Sequence, residues 1–387
     1  MNQLKELIKK LCPNGVKCKQ VKDCFKRLKG TSITAGKMKE IGDRNGTIKV
    51  FAGGKTVINA NEKDIPNANI VKVPAVLVQS RGVVDFIYYE KPFTFKNEMW
   101  AYTANDKVEV KYLYYVFKNS VNFFKECAAG RGSLPQISLA ITEEFKIPLP
   151  PIEVQREIVR ILDNFTELTA ELTAELTARK KQYEYYQNIL LTCDGFNIEP
   201  VDKKLGKEIQ WLTLGEVCTL KAGKTISSTE IFHEPFGKYQ YPCFGGNGLR
   251  GYVKSYNQEG NFSLIGRQGA LCGNVCYASG KFYATEHAVV VEPKGKCDER
   301  FLYYILIAAN LNQYKTAGAQ PGLSVAKLEK VLVLIPSMSA QKRIVDILDR
   351  FDALCNDITI GLPAEIEARQ KQYEYYRDKL LSFKEKK

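Results

Sequence analysis

Apolar residues at spacings of three and four mark the segment 148–193. Ile158, Ile161, Leu162, Phe165, Leu168, Leu172 and Leu176 form the stripe of a helix with one buried face. Neither Gly nor Pro interrupts the chain between Ile152 and Thr192. The pattern therefore predicts one unbroken helix of ~40 residues, roughly 60 Å long at 1.5 Å per residue. At its centre Glu-Leu-Thr-Ala repeats from Thr166 to Ala178.

The pattern occurs a second time, from 335 to 383. Gln155, Ile158, Leu162, Asp163 and Phe165 match Gln341, Ile344, Leu348, Asp349 and Phe351 at an offset of 186. Gln182-Tyr183-Glu184-Tyr185-Tyr186 matches Gln372-Tyr373-Glu374-Tyr375-Tyr376 at an offset of 190. The copies thus differ by about one helical turn within the segment that carries the tetrapeptide repeat. Pro363 lies inside the second copy, lacks an N–H and crowds the preceding turn. It predicts a break near Gly361-Leu362, where the first helix runs straight.

Outside these helices the periodicity changes. A short helix opens the chain, with Leu4, Leu7, Ile8 and Leu11 on one face. β-type runs follow at 47–51, 69–78, 83–89 and 93–95, then a helix at 110–126 and a strand at 145–149. The region 200–333 keeps the same order at low identity. Gly30 and Ile33 fall opposite Gly223 and Ile226, and Leu113-Tyr114-Tyr115 opposite Leu302-Tyr303-Tyr304. The expected fold class is α+β: two tandem α/β modules related by a pseudo-two-fold, with two long antiparallel coiled-coil helices in a circular arrangement. The expected segments are a first module at 1–147, a first helix at 148–193, a second module at 194–333 and a second helix at 334–387. Ile158, Leu162, Phe165, Leu168, Leu172 and Leu176, with Ile344, Leu348 and Phe351, are the expected helix seam.

Charge narrows the partner. The chain is formally +13, and its first 40 residues hold eleven Lys/Arg against three acids. That excess favours a polyanion, and nucleic acid over a membrane surface, since no strongly amphipathic basic helix is present. No apolar run reaches the ~20 residues of a membrane span. Eleven scattered cysteines without a secretory signal suggest reduced thiols and a cytoplasmic protein.

Two loops of the second module combine glycine with base-reading side chains. Asn247, Arg250 and Lys254 lie in or beside Gly245-Gly246-Asn247-Gly248, and Arg267 and Gln268 lie in Gly266-Arg267-Gln268-Gly269. Glycine admits close backbone approach, and Asn, Gln and Arg can bond base edges or phosphates. The plain alternative is a pair of ordinary hairpin turns with solvated arginines. In the first module Lys49, Lys55, Arg81 and Arg131 occupy similar stations. Catalytic signals fail. Gly54-Lys55-Thr56 and Gly223-Lys224-Thr225 lack the earlier glycine of a phosphate loop, having Lys49 and Cys218 there. Cys272, Cys276, His287 and Cys297 lack zinc-site spacing, so no metal or cofactor is expected. His233 and His287 have no nucleophile or carboxylate at a recognisable spacing. No adenine-methyltransferase block occurs either.

The Thr-Ala-Glu-Leu block, Ala178-Arg179-Lys180-Lys181-Gln182-Tyr183-Glu184-Tyr185-Tyr186 and Leu362-Pro363-Ala364-Glu365-Ile366-Glu367-Ala368-Arg369-Gln370-Lys371-Gln372-Tyr373-Glu374-Tyr375-Tyr376 resemble the specificity subunits of Type I restriction–modification enzymes over essentially the whole chain. The resemblance implies two target-recognition domains, each reading half of a bipartite site in double-stranded DNA. It also implies helices that set the half-site spacing and dock methyltransferase subunits, two in number, with restriction or translocase subunits where present. Such a chain is not itself an enzyme. A reading from another class is a coiled-coil adaptor whose modules bind protein or carbohydrate.

Overall fold

The computed structural model describes residues 2–54, 56–65, 67–128, 134–191, 209–269, 271–316 and 321–386. The chain folds as two compact units: Met1–Leu172 with Ile366–Lys387, and Thr173–Glu365. The units do not follow chain order, because the first long helix, Ile152–Leu191, passes from one to the other.

In the first unit the sheet Lys26–Lys29, Trp100–Thr103, Ala75–Gln79, Asp85–Tyr89 is antiparallel throughout. Beside it Val57–Ala60 pairs with Ile48–Phe51, which runs parallel to Phe93–Phe95. The expected strand at 69–78 forms only in its second half. The expected helix at 110–126 is two helices, Lys107–Asn119 and Val121–Ala128, the first capped by the Asp106 carboxylate, which accepts from Val108 N–H at 2.8 Å. Phe86, Phe117 and Phe124 pack ring on ring under the sheet, at centroid distances of 4.5–5.5 Å. Val154, Ile158 and Leu162 of the long helix join that core. Phe165 stacks on Tyr376 at 5.5 Å. The two ends of the chain meet here, with Val16 N–H donating to Lys384 O and Lys386 N–H to Val16 O.

The second unit has one six-stranded sheet, ordered Cys218–Ala222, Ala288–Pro293, Gln258–Gly266, Val275–Ala284, Tyr241–Gly245, Gly248–Val253. Its parallel contact, Cys243 and Phe244 against Tyr283 and Ala284, repeats that of Val50 and Phe51 against Thr94 and Phe95. Tyr183 and Tyr186 stack on Phe351 at 6.0 and 5.4 Å. Phe165 and Phe351 are matched positions of the two helical copies, as are Tyr186 and Tyr376. Each unit therefore holds the first half of one copy against the last half of the other.

The second copy is broken as the proline predicts, into Met338–Asn356 and Leu362–Leu381. Pro363 sits in the first turn of the new helix, where its missing N–H costs nothing. The Asp357 carboxylate closes the break, accepting from the N–H groups of Thr359 (2.6 Å) and Ile360 (3.2 Å). The first helix is continuous for 40 residues. Along it Ile158 and Leu162 are buried, whereas Phe165, Leu168, Leu172 and Leu176 are half-buried. Of the matched positions, Ile344 and Leu348 are buried and Phe351 is half-buried. Thr166 and Thr169 turn their hydroxyls back onto the carbonyls of Leu162 and Phe165, so the repeat satisfies its polar groups on its own helix.

Candidate nucleic-acid interface

The same backbone hydrogen bonds recur in both modules. Lys96 N–H donates to Phe51 O at 3.0 Å, and Thr285 N–H to Phe244 O at 2.9 Å. Gly82 N–H donates to Pro135 O, and Gly269 N–H to Pro321 O. Ile137 N–H donates to Ser80 O, and Leu323 N–H to Arg267 O. Each module is tied to a long helix in the same way. Tyr115 O–H donates to Asp163, which pairs with Lys111 at 2.8 Å. Tyr304 O–H donates to Asp349, which pairs with Arg300 at 2.7 Å. Burial, then the bond to the carboxylate, pushes both phenols far above their ordinary value. They remain donors at any physiological pH. This gives Asp163 and Asp349 a shared role at matched positions of the two helical copies, although the modules they hold diverge.

In the second module this frame opens a cleft of about 830 Å³ between the hairpin Tyr241–Gly245/Gly248–Val253 and the turn after Gly266. The glycines make it possible. A Cβ on Gly266 would lie 1.9 Å from Gly246 O, and one on Gly246 would lie 2.7 Å from Gln268 O. The two glycine-rich loops expected from the sequence thus lie backbone against backbone. They bring Asn247, Arg250 and Gln268 into one cleft, all three exposed. Leu249 and Leu271 add apolar surface, being 53% and 56% exposed, and His287 completes the wall. Such a lining offers amide and guanidinium groups for base edges and methyl groups for thymine.

Arg267 and Lys254 do not line this cleft. Arg267 Nε is buried without a hydrogen-bond partner among the described residues, and Lys254 is exposed with its ammonium 5.9 Å from the Tyr239 ring. Cys272 and Cys297 are core residues, and burial pushes the Cys297 thiol up to about 12. Among the described residues no three His, Cys, Asp or Glu side chains gather as a metal site.

The first module has a cleft of about 580 Å³ on the other flank of the corresponding turn. Arg27, Lys29, Asn69, Asn97, Glu98 and Trp100 line it. Lys49 and Arg81 stand elsewhere: Lys49 lies 5.3 Å from the Tyr89 ring, and Arg81 is exposed in a bridge to Gln136. Lys55 and Arg131 lie outside the described residues. In the sequence Arg27 and Lys29 stand out only as part of the basic first 40 residues. Glu98 carries no site signal there, and His287 figures only as a zinc or acid–base candidate that its spacing excludes, because nothing local marks a turn that long-range strand pairing carries to a cleft wall.

Residues 13–179 and 206–368 match the Type I restriction modification DNA specificity domain. The chain is 43% identical over 265 residues to the Type I restriction enzyme EcoprrI specificity subunit of Escherichia coli, the match covering 66% of this chain and 64% of that one. It therefore spans just under two thirds of that relative. Identity to the EcoR124I/EcoR124II specificity subunit of Escherichia coli is 33% over 368 residues, covering 87% of each chain. In fold it is similar to the S subunit of the Type I restriction-modification system of M. genitalium, with a TM-score of 0.67 at 19% identity, covering 95% of this chain and 96% of that one.

Proposed function

The chain belongs to the Type I restriction modification DNA specificity domain family, and from that premise we propose that its two modules each read one half of a bipartite DNA sequence. It is the DNA-recognition subunit of a restriction–modification system and is not itself an enzyme. The reading modules are residues 1–147 and 194–333. The long helices at 148–193 and 334–387 set the distance between half-sites and dock the methyltransferase subunits, with restriction subunits joining where present. The observation that carries this reading is the meeting of Asn247, Arg250 and Gln268 in one glycine-walled cleft. Lys and Arg around the clefts supply salt-dependent affinity for phosphates, and the cleft side chains supply the sequence code.

Two methyltransferase subunits are expected, because the helical copies repeat residues that packing does not demand. Glu184 and Glu374 are exposed, and Tyr185 and Tyr375 are 59% and 60% exposed. Identical exposed side chains on two copies suit two copies of one partner. Among the described residues no helix is long and apolar enough to cross a membrane, and a cytoplasmic location follows from the DNA-reading role.

The test is to assemble the chain with methyltransferase subunits and map the modified sites. Two short sequences separated by a fixed gap are expected. Modification without sequence preference, or binding to random duplex DNA that ignores salt, overturns the reading.

A further inference from the structure

We infer that one position of the shared frame, Glu98 in the first module and His287 in the second, decides which bases each module accepts. The inference rests on the half-site reading above. The two residues occupy the same place in the backbone. Each follows the strand that runs parallel to its neighbour, Phe93–Phe95 or Val275–Ala284, by three residues. Turn bonds close after them in the same way, with Met99 N–H donating to Lys96 O and Ala288 N–H to Thr285 O, both at 2.9 Å. Their own carbonyls accept from matching positions, Glu98 O from Ser80 Oγ at 2.7 Å and His287 O from Arg267 N–H at 2.9 Å.

Each residue lines its module's cleft, the two clefts lying on opposite flanks of the turn. Each side chain is partly open to solvent, at 37% for Glu98 and 35% for His287, with His287 Nδ1 buried, so a base edge meets Glu98 at its carboxylate and His287 on its Nε2 side. Neighbours aim both. Glu98 Oε1 accepts from Gly53 N–H at 3.2 Å and Oε2 lies 3.0 Å from Lys96 Nζ. His287 Nε2 lies 3.2 Å from Glu286 Oε1.

The chemistry at this one position differs. A carboxylate only accepts hydrogen bonds and repels phosphate. A glutamate held in the cleft of a basic reader is therefore fitted to a base edge that donates, the exocyclic amine of cytosine or adenine. An imidazole is neutral or cationic and can donate, so it imposes no such requirement. The frame stays constant while the side chain at its turn changes the half-site.

The experiment maps modified sites for the assembled enzyme carrying Glu98→Gln or His287→Glu. Gln keeps an oxygen for Gly53 N–H but adds a donor, so Glu98→Gln should admit keto-bearing bases at one position of one half-site. That preference should fall about tenfold, in line with the ~1–3 kcal/mol of a good base contact. His287→Glu should impose an amine-bearing base at one position of the other half-site. Thermal unfolding should stay close to wild type. A wild-type bipartite motif that both variants keep unchanged overturns the inference and leaves the half-site reading standing. Uniformly weaker binding without any change of base preference also overturns it, since that marks a structural clamp. A wild-type assembly with no motif overturns the half-site reading and this inference together.

Discussion

The two modules share a backbone and differ in how the polar groups of their site regions are satisfied. In the first, Gln79 Nε2 donates to Gly54 O, Asn69 Nδ2 donates to Gly30 O at 2.8 Å, and Glu98 holds Gly53 and Lys96. In the second, Gly266 replaces the position of Gln79 and backbone presses on backbone. There Arg267 Nε, Glu286 Oε2 and His287 Nδ1 are buried without partners among the described residues. An orphaned buried polar group costs about 1–3 kcal/mol. The first site thus satisfies its polar groups with its own side chains while its cleft stays open, and the second leaves polar groups that a ligand can repay by rearrangement. Strand pairing preserves the frame, and side chains at its turns are free to diverge.

The largest change should come from altering the frame common to both modules. Inserting one Thr-Ala-Glu-Leu after Leu172 lengthens the helix by ~6 Å and turns it some 40° past a full turn, which a helix packing face can absorb. DNA rises about 3.4 Å per base pair. Site mapping should therefore show both half-sites unchanged and the gap longer by one or two base pairs, with modification of the original spacing lost. Retention of the original spacing would sink the ruler.

Next in size is a change that separates the modules. Gly266→Ala sets a methyl against Gly246 O and should destabilise the second module by about 3 kcal/mol, as overpacking does. Gln79→Ala, at the matching place, loses only a hydrogen bond and should cost about 1 kcal/mol. Denaturant melts of the two variants check this, and equal costs would mean that the loops do not pack as described.

The module-to-helix ties offer a finer contrast. Arg300 binds Asp349 and Asp352, and its guanidinium lies 4.8–5.1 Å from the rings of Tyr277, Tyr303 and Tyr304. Lys111 has Asp163 and one ring, Tyr88 at 5.2 Å. Thermal unfolding should show Arg300→Ala costing about 2 kcal/mol and Lys111→Ala about 1. Arg250→Ala should leave stability alone and relax the second half-site by about tenfold. Arg267→Ala should alter base preference less, because Arg267 lies off the cleft.

The smallest effect is one of pH. Hydrogen bonds from Thr359 hold the Asp357 carboxyl below its ordinary value. Its pKa is depressed in the folded state, so its contribution is present above the unfolded value and is lost as pH falls through the folded one. Acid should loosen the turn between the halves of the second helix and leave the unbroken first helix intact. Amide exchange at residues 357–361 reports it.

The sequence by itself determined the repeat, the long helices, the tandem α/β order and the break at Pro363. These follow from apolar spacing, from glycine and proline sterics, and from identity between copies, all local in the chain. It also pointed to both glycine-rich loops of the second module, because close approach demands residues without a Cβ. Only the tertiary structure decided that the compact units divide within the helices, since that depends on which half of one copy packs against the other. Only the tertiary structure placed Asn247, Arg250 and Gln268 around one cleft, left Lys49, Arg81, Lys254 and Arg267 away from the clefts, and brought Glu98 and His287 to cleft walls. Those outcomes depend on strand register between residues far apart in sequence, such as Phe51 with Phe95 and Phe244 with Ala284. No local pattern encodes such register, because a shift of one residue turns every side chain of a strand to the opposite face.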